Sequence, residues 1–207
     1  LARQIGAALD STTDLLTTLL DMSRLEAGGL VPEPRAFPLA DVLDPRSREI
    51  YLQLAGGVTT AHVMHGSANT IGGQNVIIKY RWGATTPKEL VVADAPPTIK
   101  FALGENPTLA AFRTGGPAEN LRYPASRMGV AALLRASFAA AAQYRDEWRR
   151  YDALSKREKA RTAPPRRDLR LEALVEVLDG KRQVHAHSYR ADEILMLLRT
   201  AERYGVR

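Results

Sequence analysis

The 207-residue chain contains no cysteine. This absence excludes disulfide frameworks, thiolate metal sites and cysteine nucleophiles, so a metal could be held only by histidine, lysine, carboxylates or water. Long apolar runs are also missing, and none approaches the roughly 20 residues that cross a bilayer. The first residues lack the charged start and apolar stretch of a secretory signal. We therefore expect no membrane span, and the sequence leaves an exported and a cytoplasmic location equally open.

Charge is distributed unevenly along the chain. Residues 1–43 hold three basic and six acidic side chains, whereas residues 44–207 carry a balance of +9. The densest basic region, Tyr144–Arg170, interleaves arginines with carboxylates. Such mixing is typical of a solvated helix face rather than of a track for phosphates. We therefore do not expect nucleic-acid binding.

The first 27 residues have the pattern of one amphipathic helix. Apolar side chains recur at alternating spacings of four and three, and Gly28-Gly29 supplies the backbone freedom that ends a helix. Three prolines follow before residue 39, and proline cannot lie inside a helix. Such a wide apolar seam is typical of a bundle or coiled-coil element without chemistry of its own, and it predicts a homodimer through residues 1–27.

The amino-acid sequence of this segment is more informative than its helical periodicity alone. The stretch "ALDSTTDLLTTLLDMSRLEAGGLVPEPRAFPLADVL" resembles the second dimerisation helix of sensor histidine kinases and the linker that follows it. The resemblance covers residues 4–43 and makes residues 1–43 a separate segment. The phosphate-accepting histidine of that family lies on the preceding helix, and residues 1–43 contain no histidine. The resemblance therefore implies a dimerisation face and no phosphotransfer.

Residues 44–207 alternate short β-branched runs with helical patterns. The runs "GGVTTAHVM", "QNVIIKYRW", "PTIKFALGENP" and "QVHAHSY" predict strands. A long alanine-rich helix should begin near Ser126 or Arg127, a second should be closed by Gly180, and "ADEILMLLRTAERYG" should form a third. Helices and strands at these spacings predict βα units and a parallel sheet, hence an α/β fold.

Two histidines sit two residues apart on the last predicted strand. Side chains of equal parity point to the same side of a strand, so His185 and His187 should share a face. His187 lies nearer the carboxyl end, where sites form in α/β barrels, and His185 would lie one layer deeper. Without further signals, a pair of hydrogen-bonded core or surface histidines is the favoured interpretation over a metal site.

The same parity argument places Lys100 opposite the bulky Ile99 and Phe101, so it should face away from the helices. A buried lysine must be paired, neutral or chemically modified. The alternative is a lysine whose stem lies under its neighbours and whose head reaches solvent. Glu105 and Asn106 follow at once, either as groups of a site or as a simple turn.

Four stretches together carry a second resemblance: "LAGGVTTAHVMHGSANTIGGQNVIIKYRWGA", "IKFALGENP", "RYPASRMGVAALLRASF" and "VHAHSYRADEILMLLRTAERYG". They are similar to consecutive blocks of bacterial metal-dependent amidohydrolases, in the subgroup related to imidazolonepropionase and to lysine-carboxylated prolidases. The resemblance covers about residues 50–207. It implies a partial (β/α)8 TIM barrel of about four strands, preceded by the N-terminal amphipathic helix. The implied reaction is hydrolysis of an amide or related C–N bond, in a small molecule or peptide, by a metal-activated water.

The resemblance also implies ligands for a divalent metal, with zinc favoured. His187 matches the histidine at the end of the fifth barrel strand, and Lys100 matches a lysine that relatives carry as a carbamate bridging two metals. Residues that could line the same site are His65, His185, Glu105 and Asn106. The family's first-strand His-x-His, sixth-strand histidine and eighth-strand aspartate have no counterpart. We therefore expect weak metal binding and little or no turnover from this chain alone.

Two hypotheses follow. The first is a truncated amidohydrolase segment, residues 44–207, joined near Asp44 to a kinase-like segment, by gene fusion or by an assembly join. The alternative is a non-catalytic dimerisation or signalling module derived from a sensor histidine kinase.

Overall fold

A computed structural model of the protein describes residues 43–108 and 123–206. These residues belong to one compact unit, Phe37–Arg207. The predicted helix over residues 1–27 and its dimerisation seam lie outside the described residues. The elements, in chain order, are α1 Arg48–Ala55, β1 Thr60–Val63, β2 Ile71–Lys79, β3 Thr98–Ala102, α2 Arg127–Asp152, α3 Lys156–Lys159, α4 Leu169–Leu178, β4 Gln183–His187 and α5 Ala191–Tyr204.

The four strands form one curled sheet in the order β1-β2-β3-β4. β1 pairs antiparallel with β2, and β2 pairs antiparallel with β3. β3 and β4 are parallel, in a register that sets Lys100 beside His185 and Ala102 beside His187. The arrangement is consistent with part of a barrel, as the sequence predicts.

The expectation of a parallel sheet is right for β3 and β4 and wrong for the first three strands. A parallel pair needs a crossover of a dozen or more residues, usually a helix. Residues 103–182 provide that crossover through α2 and α4. Only residues 64–70 join β1 to β2, and the connection from β2 to β3 has a single 3-10 turn, Pro87–Glu89. Because neither connection contains a crossover α-helix, β2 runs antiparallel to β1, and β3 runs antiparallel to β2.

The main core lies between the sheet and the helices. Ile99, Phe101 and Leu103 of β3 and its end pack with Leu134 and Phe138 of α2 and with side chains of α4. Phe101 is fully buried. This confirms the predicted alternation on β3, because the bulky residues face the helices and Lys100 points to the other side.

A second, smaller core covers the far end of the sheet on the same side. Ile50 of α1 packs there with Ile78 of β2, and with Ala84 and Leu90 of the loop beyond. Both cores lie on one side of the sheet, and among residues 43–108 and 123–206 no helix of either core lies on the opposite side. We call that side, which carries Lys100, the open face.

The helices begin where the sequence places capping residues. Ser126 caps α2, and its Oγ accepts a hydrogen bond from the backbone N–H of Gly129. Asp168 caps α4 by accepting from the backbone N–H groups of Arg170 and Leu171. Such caps satisfy donors that the helix itself leaves unpaired. Among the described residues, no helix is both long and apolar enough to cross a membrane.

Candidate active site on the open face of the sheet

The open face gathers polar side chains from all four strands. His62 on β1 shares this face because it pairs with Ile77, which lies two residues from Asn75 on β2. Asn75 in turn pairs with Thr98 of β3. Lys100 follows Thr98 on the same side, and His185 and His187 stand beside it on β4. The strand parity of both histidines is as predicted.

His187 lies at the carboxyl end of β4, next to the loop that leaves β3. The side-chain amide of Asn106 donates to His187 Nε2 at 2.9 Å and to the hydroxyl of Tyr189 at 3.1 Å. Burial and the positive charge of Lys100 lower the pKa of His187. The imidazole is therefore neutral at neutral pH, with the lone pair of Nε2 directed at Asn106, and neutral imidazole is the form that binds a metal.

His62 and His185 form a layer below His187. Their rings meet edge to face, with centroids 4.7 Å apart. His62 Nε2 lies 2.8 Å from the hydroxyl of Thr98, which is also 3.0 Å from the amide of Asn75. Burial, and then the neighbouring His185, lower the pKa of His62. The sequence predicts a place in the site for His185 but not for His62. His62 lies in an ordinary strand pattern with no motif around it.

His65 lies beside the open face rather than in it. Its ring covers the backbone of Gly72 and Gly73, where a β-bulge places an extra residue in β2. A Cβ on Gly72 would stand 3.0 Å from His65 Nδ1 and 3.1 Å from the carbonyl oxygen of Lys100. Glycine at this position lets the ring approach the strand, so His65 borders the site without a contact to His187.

Glu105 and Asn106 both follow β3, but the structure gives them different places. Asn106 is half-buried and touches His187, as described above. Glu105 is exposed, and its carboxylate lies 3.7 Å from Arg127. Of the two, Asn106 alone contacts His187 directly.

A buried carboxylate, Glu193, ties together the loops at the ends of β3 and β4. It accepts hydrogen bonds from Ser188 Oγ at 2.5 Å and from Arg127 Nε at 2.6 Å. Its side chain is only 6% exposed and lies against Gly104. Sequence reasoning places Glu193 only in the first turn of a helix, where carboxylates are common. No local pattern distinguishes it from its exposed neighbour Asp192.

The described residues provide part of a metal site. Lys100 is half-buried, which agrees with the alternative of a lysine whose stem lies under its neighbours, and no layer covers the open face among the described residues. No carboxylate lies within 4.0 Å of its Nζ there. Neither do the described ranges contain a group of three or more histidine and acidic side chains placed to hold a metal. A catalytic zinc needs about three protein ligands, so these residues alone do not fit a complete site.

Two known proteins are similar to this chain. The fungal amidohydrolase tasK of Hapsidospora irregularis is 32% identical over 166 residues, which are 74% of this chain and 16% of that protein. The crystal structure of an amidohydrolase from Thermotoga maritima MSB8 matches with a TM-score of 0.68 and 32% identity. That match covers 81% of this chain and 40% of the bacterial one. No protein-family model matches. The two similarities support an amidohydrolase-type family, and the chain spans well under half the length of either relative.

Proposed function

We propose that this chain is a segment of a metal-dependent amidohydrolase and that its open face forms part of the active site. We further propose that the chain belongs to the subgroup related to imidazolonepropionase and lysine-carboxylated prolidases. The substrate class is an amide or a related C–N bond in a small molecule or a peptide. The remaining ligands would come from outside residues 1–207, because all four histidines of the chain lie in the described ranges.

One observation carries the proposal. Lys100 and His187 project from adjacent parallel strands onto one face, and the charge of Lys100 acts on the His187 ring. Carboxyl ends of neighbouring parallel strands are where α/β barrels assemble their sites. The similarity to two amidohydrolases supports assigning the pair to hydrolysis rather than to packing.

The chain's own residues would act by holding and orienting. His187 would hold the metal with the lone pair of Nε2, and the hydrogen bond that Nε2 accepts from Asn106 in this structure would have to be released on binding. Lys100, converted to a carbamate, would become an anionic oxygen ligand on the face that also carries His185 and His187. Zinc, once bound, would supply a water of lowered pKa and polarise the scissile carbonyl.

Labelled bicarbonate tests the lysine directly. We expect the chain incubated with zinc and ¹³C-bicarbonate to show a carbamate carbon resonance that Lys100→Ala removes. His187→Ala should weaken zinc binding, measured by competition with a chelator, because it deletes one of two ligands. His65→Ala is the matched control, since His65 borders the site without touching His187, and it should leave both signals unchanged.

Two results would contradict the proposal, one from zinc binding and one from hydrolysis. Zinc binding that is the same in wild type, Lys100→Ala and His187→Ala would exclude these two residues as ligands. Hydrolysis of a panel of N-acyl amino acids and dipeptides is assayed on a form of the protein that carries a complete set of metal ligands. Turnover that survives Lys100→Ala at the wild-type rate would also contradict the assignment.

The segment of residues 4–43 supports a second candidate, a dimerisation or signalling module derived from a sensor histidine kinase. A chimaeric chain joined near Asp44 would carry both properties. Deleting residues 1–29 tests this candidate through the molecular mass in solution. An unchanged oligomeric state after deletion would contradict dimerisation through residues 1–27.

A further inference from the structure

We propose that Glu193 is a positioning residue for His187. Its buried carboxylate fixes both loops that hold the imidazole, and thereby selects the ring nitrogen that accepts the hydrogen bond from Asn106. The inference rests on the proposed function only in treating His187 as the working side chain of the open face.

The first tie runs through the loop after β4. Ser188 follows His187 directly, and its hydroxyl donates to Glu193 at 2.5 Å. Glu193 itself is in the first turn of α5, so the carboxylate closes a short loop of six residues from His187. This bond holds the backbone next to His187, and it therefore restricts the direction in which the ring projects from the end of β4.

The second tie runs through the loop after β3. Arg127 donates to Glu193 at 2.6 Å with Nε, and its Nη2 lies 3.7 Å from the carboxylate of Glu105. Asn106, the residue that donates to His187, comes next in the chain. One buried carboxylate therefore organises the neighbours of both partners in the Asn106–His187 hydrogen bond.

The space around Glu193 is built for this carboxylate. Gly104, the residue before Glu105, has φ +69°, and a Cβ there would lie 2.5 Å from both carboxylate oxygens. A left-handed glycine is needed where backbone approaches another group closely. A buried carboxylate held by two charged or polar donors has little freedom to rotate, so its position is passed on to both loops.

The tautomer of His187 provides a readout that a purely structural role would not change. In wild type, Nε2 accepts from Asn106, so the ring proton should reside on Nδ1. We expect long-range ¹H–¹⁵N correlation spectra at about pH 8, above the ordinary histidine pKa of about 6.5, to show this form as the major one. In Glu193→Gln the Nδ1–H form should become minor. His187→Gln assigns the resonance by removing it.

Asp192→Asn is the matched control. Asp192 lies in the same helical turn and pairs with the exposed Arg190 at 2.9 Å, outside the His187 loops. Its variant should keep the wild-type tautomer. Arg127→Gln is the second test variant, because Arg127 is 43% exposed and its loss removes one tie without opening the core. Urea unfolding of each variant verifies that it is folded.

The result that overturns the proposal is a folded Arg127→Gln or Glu193→Gln with the wild-type spectrum of His187. An equal change in Asp192→Asn overturns it too. A changed tautomer together with zinc binding that is indifferent to His187 overturns the proposed function and leaves the positioning role standing. If Glu193→Gln does not fold, the spectrum of Arg127→Gln decides.

Discussion

At the scale of single residues, the fold changes the acid–base behaviour of His62. Burial and the adjacent His185 lower its pKa, so the folded chain releases this proton at a pH where the unfolded chain still binds it. The contribution of His62 to the stability of the fold therefore rises with pH between the lowered pKa and the unfolded value near 6.5, and is constant outside that window. His187 contributes in the same direction.

We expect urea unfolding midpoints to fall as the pH is lowered from about 8 to about 5, because the unfolded state then binds more protons than the folded one. In His62→Gln the fall should be smaller. In His185→Gln the pKa of His62, followed by its ring proton shifts, should rise toward 6.5. A midpoint that does not depend on pH, or a His62 pKa unchanged by His185→Gln, would contradict this account.

The alternation of side chains along the strands predicts most residues of the open face. Contacts between residues far apart in the sequence could not be predicted in this way. The alternation of "TIKFA" and "QVHAH" correctly assigns Lys100, His185 and His187 to one side, because period two is a local property of a strand. Glu193 could not be assigned in this way. Its importance arises from Ser188, Arg127 and Gly104 meeting around it, and that meeting depends on the tertiary fold.

At the scale of elements, the sequence predicts each strand and helix better than it predicts their pairing. Each predicted β-branched run overlaps one of the strands β1 to β4, and Ser126 does start the long helix. Direction depends on the connections. A pattern with few helices between residues 64 and 97 is compatible with several pairings until the chain closes. The bulge at Ile71/Gly73 is equally a product of pairing and not of composition.

Two glycines with positive φ allow the cost of a left-handed backbone to be measured separately from the cost of steric crowding. Gly57 has φ +85° with open space around its missing Cβ, whereas Gly104 has φ +69° and the Glu193 carboxylate 2.5 Å away. Gly57→Ala should cost about 1–3 kcal/mol, the usual penalty for a left-handed side chain. Gly104→Ala should cost a further ~1–3 kcal/mol, because the carboxylate must leave donors that then stay buried and unpaired.

Urea unfolding at constant pH measures both variants. The comparison is informative because the two changes are chemically identical and differ only in surroundings. Equal losses of unfolding free energy would mean that the carboxylate moves freely. In that case Glu193 would not hold the ends of β3 and β4 together.

At the scale of the whole molecule, the sheet ends at β1 and at β4, and the outer edge of β4 has no strand partner among the described residues. Beside that edge, α5 exposes a group of apolar side chains: Ile194 at 48%, Leu195 at 46% and Leu198 at 55%. Open edges and contiguous apolar surface are both sites of association. In a barrel, the next βα unit covers such an edge, and the bacterial relative is more than twice as long as the matched part of this chain.

The purified chain should therefore self-associate through α5. Burial of a leucine-sized side chain contributes about 1.5–3 kcal/mol, so replacing Ile194 and Leu198 together by lysine should raise the dissociation constant by roughly tenfold or more. Sedimentation velocity over a range of protein concentrations measures it. Met128→Lys is the matched control, since Met128 is 76% exposed but lies on α2. Association through the seam of residues 1–27 would respond to neither variant. A dissociation constant that is unchanged in the double variant would therefore locate the interface away from α5. If Met128→Lys raised the dissociation constant equally, the effect would arise from the added positive charge and not from the apolar side chains of α5.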